Sequence, residues 1–128
     1  MDKVVHFEIP ADDVDRAKEF YGAIFGWQLQ TMQMEGGEYT IAMTTPIDEQ
    51  SQLPTEPGAI NGGLMRRDEH TPTPVITIEV DAIDDALQRI ESQGGAVVRP
   101  RTAIPGMGAF GYFKDPEGNV MGLWETTT

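Results

Sequence analysis

The sequence predicts an α+β fold: two fused βαβββ modules, with about eight strands in two curved sheets and two helices outside them. Three observations carry this. A strand followed by a helix occurs twice, and one offset of 69 positions maps the first copy onto the second. Three β-type segments follow each helix. The closing segments of the two halves also match, Gly63-Leu64-Met65 against Gly122-Leu123-Trp124.

In the first half, residues 4–9 alternate and are β-rich, as a half-buried strand should be. Asp12 is placed to cap the helix that follows. Asp15 falls in its first turn, where a carboxylate suits the helix dipole. Val14, Ala17, Tyr21 and Ile24 recur at helical spacing, and Gly26 stands where a C-terminal cap would. In the second half, residues 75–80 form the strand and Asp81 is the expected cap. Asp84 lies in the first turn, while Ile83, Ala86, Leu87 and Ile90 form the apolar stripe. Gly94-Gly95 is the stop. Asp12 to Gly26 and Asp81 to Gly95 each span 14 positions.

The remaining strands are expected at 27–33, 39–44 and 59–66, then at 96–99, 109–114 and 120–125. Asp115-Pro116-Glu117-Gly118 is a strong tight-turn signal, with proline second and glycine fourth. Gly36-Gly37 is a weaker hairpin signal. Residues 46–58 are polar and proline-rich, and read as a disordered surface loop, with a lid as the alternative. Residues 67–74 read as a linker stiffened by Pro72 and Pro74. The whole chain, 1–128, is expected to be one domain, with module 1 at about 1–67 and module 2 at about 73–128.

Composition excludes several classes of function. At 39% hydrophobic and 23% charged, the chain has the make-up of a folded domain rather than a disordered tail. No apolar run approaches the ~20 residues that span a bilayer, and MDKVVHFEIP lacks a signal-peptide core, so a cytoplasmic location is expected. The absence of cysteine removes a disulfide scaffold, a thiolate zinc site and a cysteine nucleophile together. A net charge of −12 repels phosphate backbones and anionic lipid, which argues against nucleic-acid or membrane partners.

The strings VVHFEIPADDVDRAKEFYGAIFGW, INGGLMRR and IPGMGAFGYFKDPEGNVMGLWE resemble the vicinal oxygen chelate superfamily, which includes glyoxalase I, bleomycin-resistance proteins and extradiol dioxygenases. With the duplicated strand and helix at 75–95, the resemblance covers nearly the whole chain. It implies two βαβββ modules whose sheets curl around a ligand-holding cup. It also implies commonly paired subunits, hence a homodimer. In metal-dependent members four cup positions carry His, Glu or Gln ligands. The repeat places these at His6, Gly63, Val75 and Gly122. Only His6 keeps a ligand type, and a stable site needs about three protein ligands. The resemblance therefore implies no metal here, and no other cofactor is expected.

His6 and Glu8, two apart on a strand, point to one face and form a candidate acid–base pair. Thr77 and Glu79 share the face of Val75 by the same parity. With Asp115 opposite Asn119, hairpin register places Tyr112 beside Gly122 and Phe110 beside Trp124. These rings, joined by Met65 through the repeat, are candidate walls of a small-molecule pocket. Gly106 to Gly111 matches G-x-G-x-x-G, but a β-type run follows where a dinucleotide site needs a helix. The expected function is binding of a small apolar or aromatic molecule. The alternatives are a lyase, isomerase or hydrolase using His6 and Glu8, and a dimeric interaction module with an occluded cup.

Overall fold

The structure, a computed structural model, describes residues 1–34 and 37–126. The chain forms two compact units: one is His6–Pro74, and the other begins at Val75 and takes Met1–Val5 with it. The architecture is α+β, with two tandem βαβββ modules as the repeat predicts.

The first module runs β1 (Lys3–Ala11), α1 (Val14–Phe25), β2 (Gln28–Met34), β3 (Gly37–Met43) and β4 (Gly62–Arg66). Its strands lie in the order β2-β3-β4-β1, with β1 parallel to β4 and the other neighbours antiparallel. Strand parity divides the sheet between two faces. On one face, Phe7 packs on Trp27 at 5.6 Å, and Trp27 stacks on Tyr21 of α1 at 5.0 Å. Leu64 and Ala42 are fully buried. His6 and Glu8 occupy the other face.

The N-cap of α1 is Asp13, not Asp12. Strand β1 continues to Ala11, so the chain turns one residue later than expected, and the Asp13 carboxylate accepts the Arg16 backbone N–H at 3.0 Å. Asp12 pairs with Arg67 at the surface instead. Gly26 closes the helix in the left-handed conformation, at φ 72°. No residue of α1 is buried; Ile24 is 61% exposed, with Phe20 and Phe25 exposed beside it. The expected apolar stripe is therefore only half inward. Met34 pairs with Gly37 across the β2–β3 hairpin, while Gly36 lies outside the described residues.

Strand β4 begins at Gly62 rather than at 59. Asn61 is committed to a side-chain lash, its Oδ1 accepting the backbone N–H of Thr44 and Thr45 at 2.7 and 3.0 Å. The 46–58 loop carries its own local bonds. Ile47 bridges Pro54, and Asp48 accepts from the backbone of Gln50 and Ser51, each at 2.9 Å.

The second module runs β5 (Val75–Glu79), α2 (Ile83–Ser92), β6 (Ala96–Ile104), β7 (Gly108–Lys114) and β8 (Val120–Thr126), with strand order β5-β8-β7-β6. Helix α2 buries Ile83, Ala86 and Leu87 against Val80, Ala109 and Leu123. Asp81 does not cap it. The N-cap is Ala82, and Glu125 of β8 accepts the Ile83 N–H at 2.9 Å. Strand β6 runs past the expected 99. Pro100 falls at a register break between Arg99 and Thr102, where a missing N–H disturbs no ladder. In the β7–β8 turn, Asp115 accepts the backbone N–H of Glu117 and Asn119, each at 2.9 Å, and Gly118 takes φ 88°.

The duplication extends to register. Glu8 stands opposite Gly63 in the first module, and Thr77 stands opposite Gly122 in the second.

Candidate functional site

Strand parity puts His6 and Glu8 on the sheet face turned away from α1. On the far side of β4, Ile41 pairs with Gly63, so Tyr39, two residues along β3, shares that face. The Tyr39 ring lies across the glycine, and its hydroxyl sits between the other two groups. It donates to Glu8 Oε2 at 2.8 Å and is 2.9 Å from His6 Nε2. A phenol has one proton. Once that proton is given to Glu8, the contact with His6 requires Nε2–H as donor, which leaves the imidazole lone pair on Nδ1.

Glu8 is 8% exposed, so its carboxylate has exchanged most of its water for these neighbours. Burial holds His6 below its ordinary 6.5, and the Glu8 charge opposes that with smaller effect. At neutral pH, then, the chain from imidazole through phenol to carboxylate holds a neutral base at one end. It can accept a proton at Nδ1 and stabilise the resulting cation through Glu8. Sequence reasoning missed Tyr39. The available signal was the glycine at 63, which leaves room for a side chain from the neighbouring strand.

Met65 pairs with Pro10 and lies on the same face as Glu8 and Gly63, partly exposed. In the second module, the register pairs Tyr112 with Gly122 and Phe110 with Trp124, as the Asp115 turn predicts. Thr77, Glu79, Phe110, Tyr112 and Trp124 thus share the sheet face opposite α2. Phe110 and Tyr112 meet edge-on at 6.0 Å, and the Arg99 guanidinium lies 5.2 Å from the Phe110 ring centre. Thr126, which the sequence did not single out, links two members of this face. Its hydroxyl accepts the Trp124 indole N–H at 3.1 Å and donates to Glu79 at 2.8 Å. Gly108 begins β7 rather than a helix, and the Trp124 ring covers it.

The four positions where the superfamily resemblance implies metal ligands do not supply a donor set. Gly63 and Gly122 have no side chain, and Val75 is an aliphatic residue 1% exposed. A Cβ at Gly63 would run into the Tyr39 hydroxyl, and one at Gly122 would stand 2.5 Å from the Thr77 hydroxyl. Among the described residues, no three His, Asp or Glu side chains converge to hold a metal ion. These residues do not fit a divalent cation at those positions.

The chain is similar to known proteins. The model of the Glyoxalase/Bleomycin resistance protein/Dioxygenase superfamily matches residues 3–123. A Vibrio parahaemolyticus protein named "Probable lactoylglutathione lyase" is 30% identical over 94% of this chain and 88% of its own length. "Putative glyoxylase CFP32" of Mycobacterium bovis is 29% identical over 92% of this chain, which spans only 43% of that protein. Methylmalonyl-CoA epimerase from Mycobacterium tuberculosis, a solved structure, superposes with a TM-score of 0.66 at 19% identity, covering 98% of this chain and 88% of its own.

Proposed function

We propose that this chain, which belongs to the Glyoxalase/Bleomycin resistance protein/Dioxygenase superfamily, binds a small organic molecule at its candidate site residues and uses no divalent ion at the four family positions. The observation that carries the reading is the buried Glu8 carboxylate joined through Tyr39 to His6. Such a pair on a strand of mostly apolar residues orients a polar group of a ligand. On the second module, Phe110, Tyr112 and Trp124, with Thr77 and Glu79, are proposed ligand-contacting residues; on the first, Met65 is proposed beside His6 and Glu8, and each face is read by itself. No helix is long and apolar enough to cross a membrane among the described residues, and a cytoplasmic small-molecule role fits that.

One observation favours turnover as well as binding. A neutral imidazole backed by a carboxylate is the equipment of a general base, and a carbonyl compound with an acidic α-hydrogen is the substrate class it serves. The names of the relatives, a lactoylglutathione lyase and a methylmalonyl-CoA epimerase, support that class.

The test has two parts. Small aromatic and carbonyl compounds, including S-lactoylglutathione and methylmalonyl-CoA, are screened by tryptophan fluorescence against wild type, Trp124→Phe and Trp27→Phe. Trp27 packs on the α1 side of its sheet, so the signal should vanish in Trp124→Phe and survive in Trp27→Phe. Binders are then incubated in heavy water, and exchange of the α-hydrogen is followed by NMR. Exchange lost in His6→Ala with binding retained supports the enzyme. Binding without exchange in wild type supports a carrier or sequestering protein. The reverse fluorescence result refutes the assignment of the aromatic wall.

A further inference from the structure

We propose that Tyr39 has taken over the ligand position at Gly63: its phenol, not a metal ion, joins His6 to Glu8. This deepens the metal-independent reading above and rests on it only in holding that His6 and Glu8 meet the bound molecule.

Gly63 has an ordinary strand conformation, so a left-handed φ does not demand glycine there. What demands it is the tyrosine: a Cβ would meet the hydroxyl, Cζ and Cε2 of Tyr39 together. Position 63 can carry a ligand side chain or accommodate the Tyr39 ring, but not both. The second observation is chemical. The hydroxyl that fills this space contacts both neighbouring polar groups, at 2.8 Å to Glu8 and 2.9 Å to His6. A buried carboxylate needs compensation, which a cation or a hydrogen-bond donor can supply; here a donor supplies it. The third observation is the repeat. In the second module the matching glycine, Gly122, faces the hydroxyl of Thr77, which is 6% exposed. Both modules therefore place a hydroxyl over the glycine, and in the first that hydroxyl contacts a base and an acid.

Tyr39 is on this account a positioning residue. It fixes the imidazole tautomer and links the ring to Glu8 through its hydroxyl, a hydrogen-bonded path between Nε2 and the carboxylate. Its side chain also closes the space a cation would occupy between them.

The experiment uses the full chain and two probes, Co²⁺ and the His6 side-chain N–H seen by NMR. In metal-stripped wild type, the Nε2–H resonance should be visible, protected from exchange by Tyr39, and added Co²⁺ should produce no absorption band that depends on His6. The resonance should vanish in Tyr39→Phe. In Gly63→Ala it should vanish too, with a lowered Tm, although the substitution alters neither His6 nor Glu8. If Gly63→Ala is too unstable to study, Tyr39→Ala combined with Gly63→Ala restores the fold, because the clash is gone. In the Tyr39→Ala background, Gly63→Ala should leave Tm unchanged.

The proposal is overturned by about one equivalent of Co²⁺ bound to wild type with a band lost in His6→Ala. It is equally overturned by a resonance that persists in Tyr39→Phe, or by a Gly63→Ala penalty that is the same with and without Tyr39. Failure to find any ligand would remove the functional reading above and leave these results standing. Ligand binding alongside His6-dependent Co²⁺ uptake would keep the binding reading and overturn both this proposal and the metal-free part of the function proposed above.

Discussion

His6 carries its proton on Nε2 because the Tyr39 hydroxyl beside it gives its own proton to Glu8. Burial is the larger influence on His6 and depresses its pKa below 6.5, with the Glu8 charge acting against it. The unfolded chain therefore binds a proton over a pH range in which the folded chain does not, and stability rises with pH across that range. The contribution is complete above about 6.5 and is lost as pH falls through the folded value. Urea midpoints measured from pH 8 down to pH 5 should decline in wild type below 6.5, and decline less steeply in His6→Gln. Parallel limbs for the two proteins would show that His6 is not buried as described.

At the scale of elements, the two helices begin in chemically different ways. Helix α1 is capped locally by Asp13, as an exposed helix needs. Helix α2 has Ala82 at its N-cap and borrows a carboxylate from β8, where Glu125 accepts the Ile83 N–H and is held by Arg101 at 2.8 Å. The Arg101 hydrogen bond, then the Ile83 bond, keep Glu125 below the usual carboxylate range. Asp13→Ala and Glu125→Ala should each cost about 1 kcal/mol in urea unfolding. Asp81→Ala and Asp12→Ala, which remove no cap, should stay within about 0.5 kcal/mol of wild type. A large effect at Asp81 would mean that the local carboxylate caps α2 after all.

For the whole molecule, packing and charge set the expectations. Ile83 is fully buried in the second module, beneath Leu87, Ala109 and Leu123, so Ile83→Ala should cost about 2–5 kcal/mol. Ile24→Ala, on the exposed face of α1, should cost far less in the isolated chain. That same face, with Phe20, Ile24 and Phe25 each more than half exposed, is a surface a second copy can cover. Sedimentation should therefore find a dimer, and Ile24→Asp with Phe20→Asp should return the species to 14.1 kDa. Only the small species in wild type at high micromolar concentration would count against pairing. With a net charge of −12, cationic ligands should bind more weakly as salt rises, and neutral ones should show almost no salt effect.

The sequence alone determined the module plan, because a repeat of 69 positions and the spacing of Asp, apolar residues and glycine are local patterns. It also determined the β7–β8 register, since Asp115 and Asn119 lie within one turn and a tight turn specifies which residues face each other. That His6 and Glu8 share one sheet face was equally legible, because strand parity is a property of neighbours. Tyr39 was not: it reaches these residues from a strand 31 positions from Glu8, across a glycine that identifies no occupant by itself. Glu125 was illegible for the same reason, lying 42 positions from the N–H it accepts. The caps misassigned to Asp12 and Asp81 show the limit from the other side. A carboxylate near a helix start is a local signal, but which one caps depends on where the preceding strand releases the chain. Only the tertiary structure decides that, because hydrogen bonds across strands depend on distances that sequence separation does not encode.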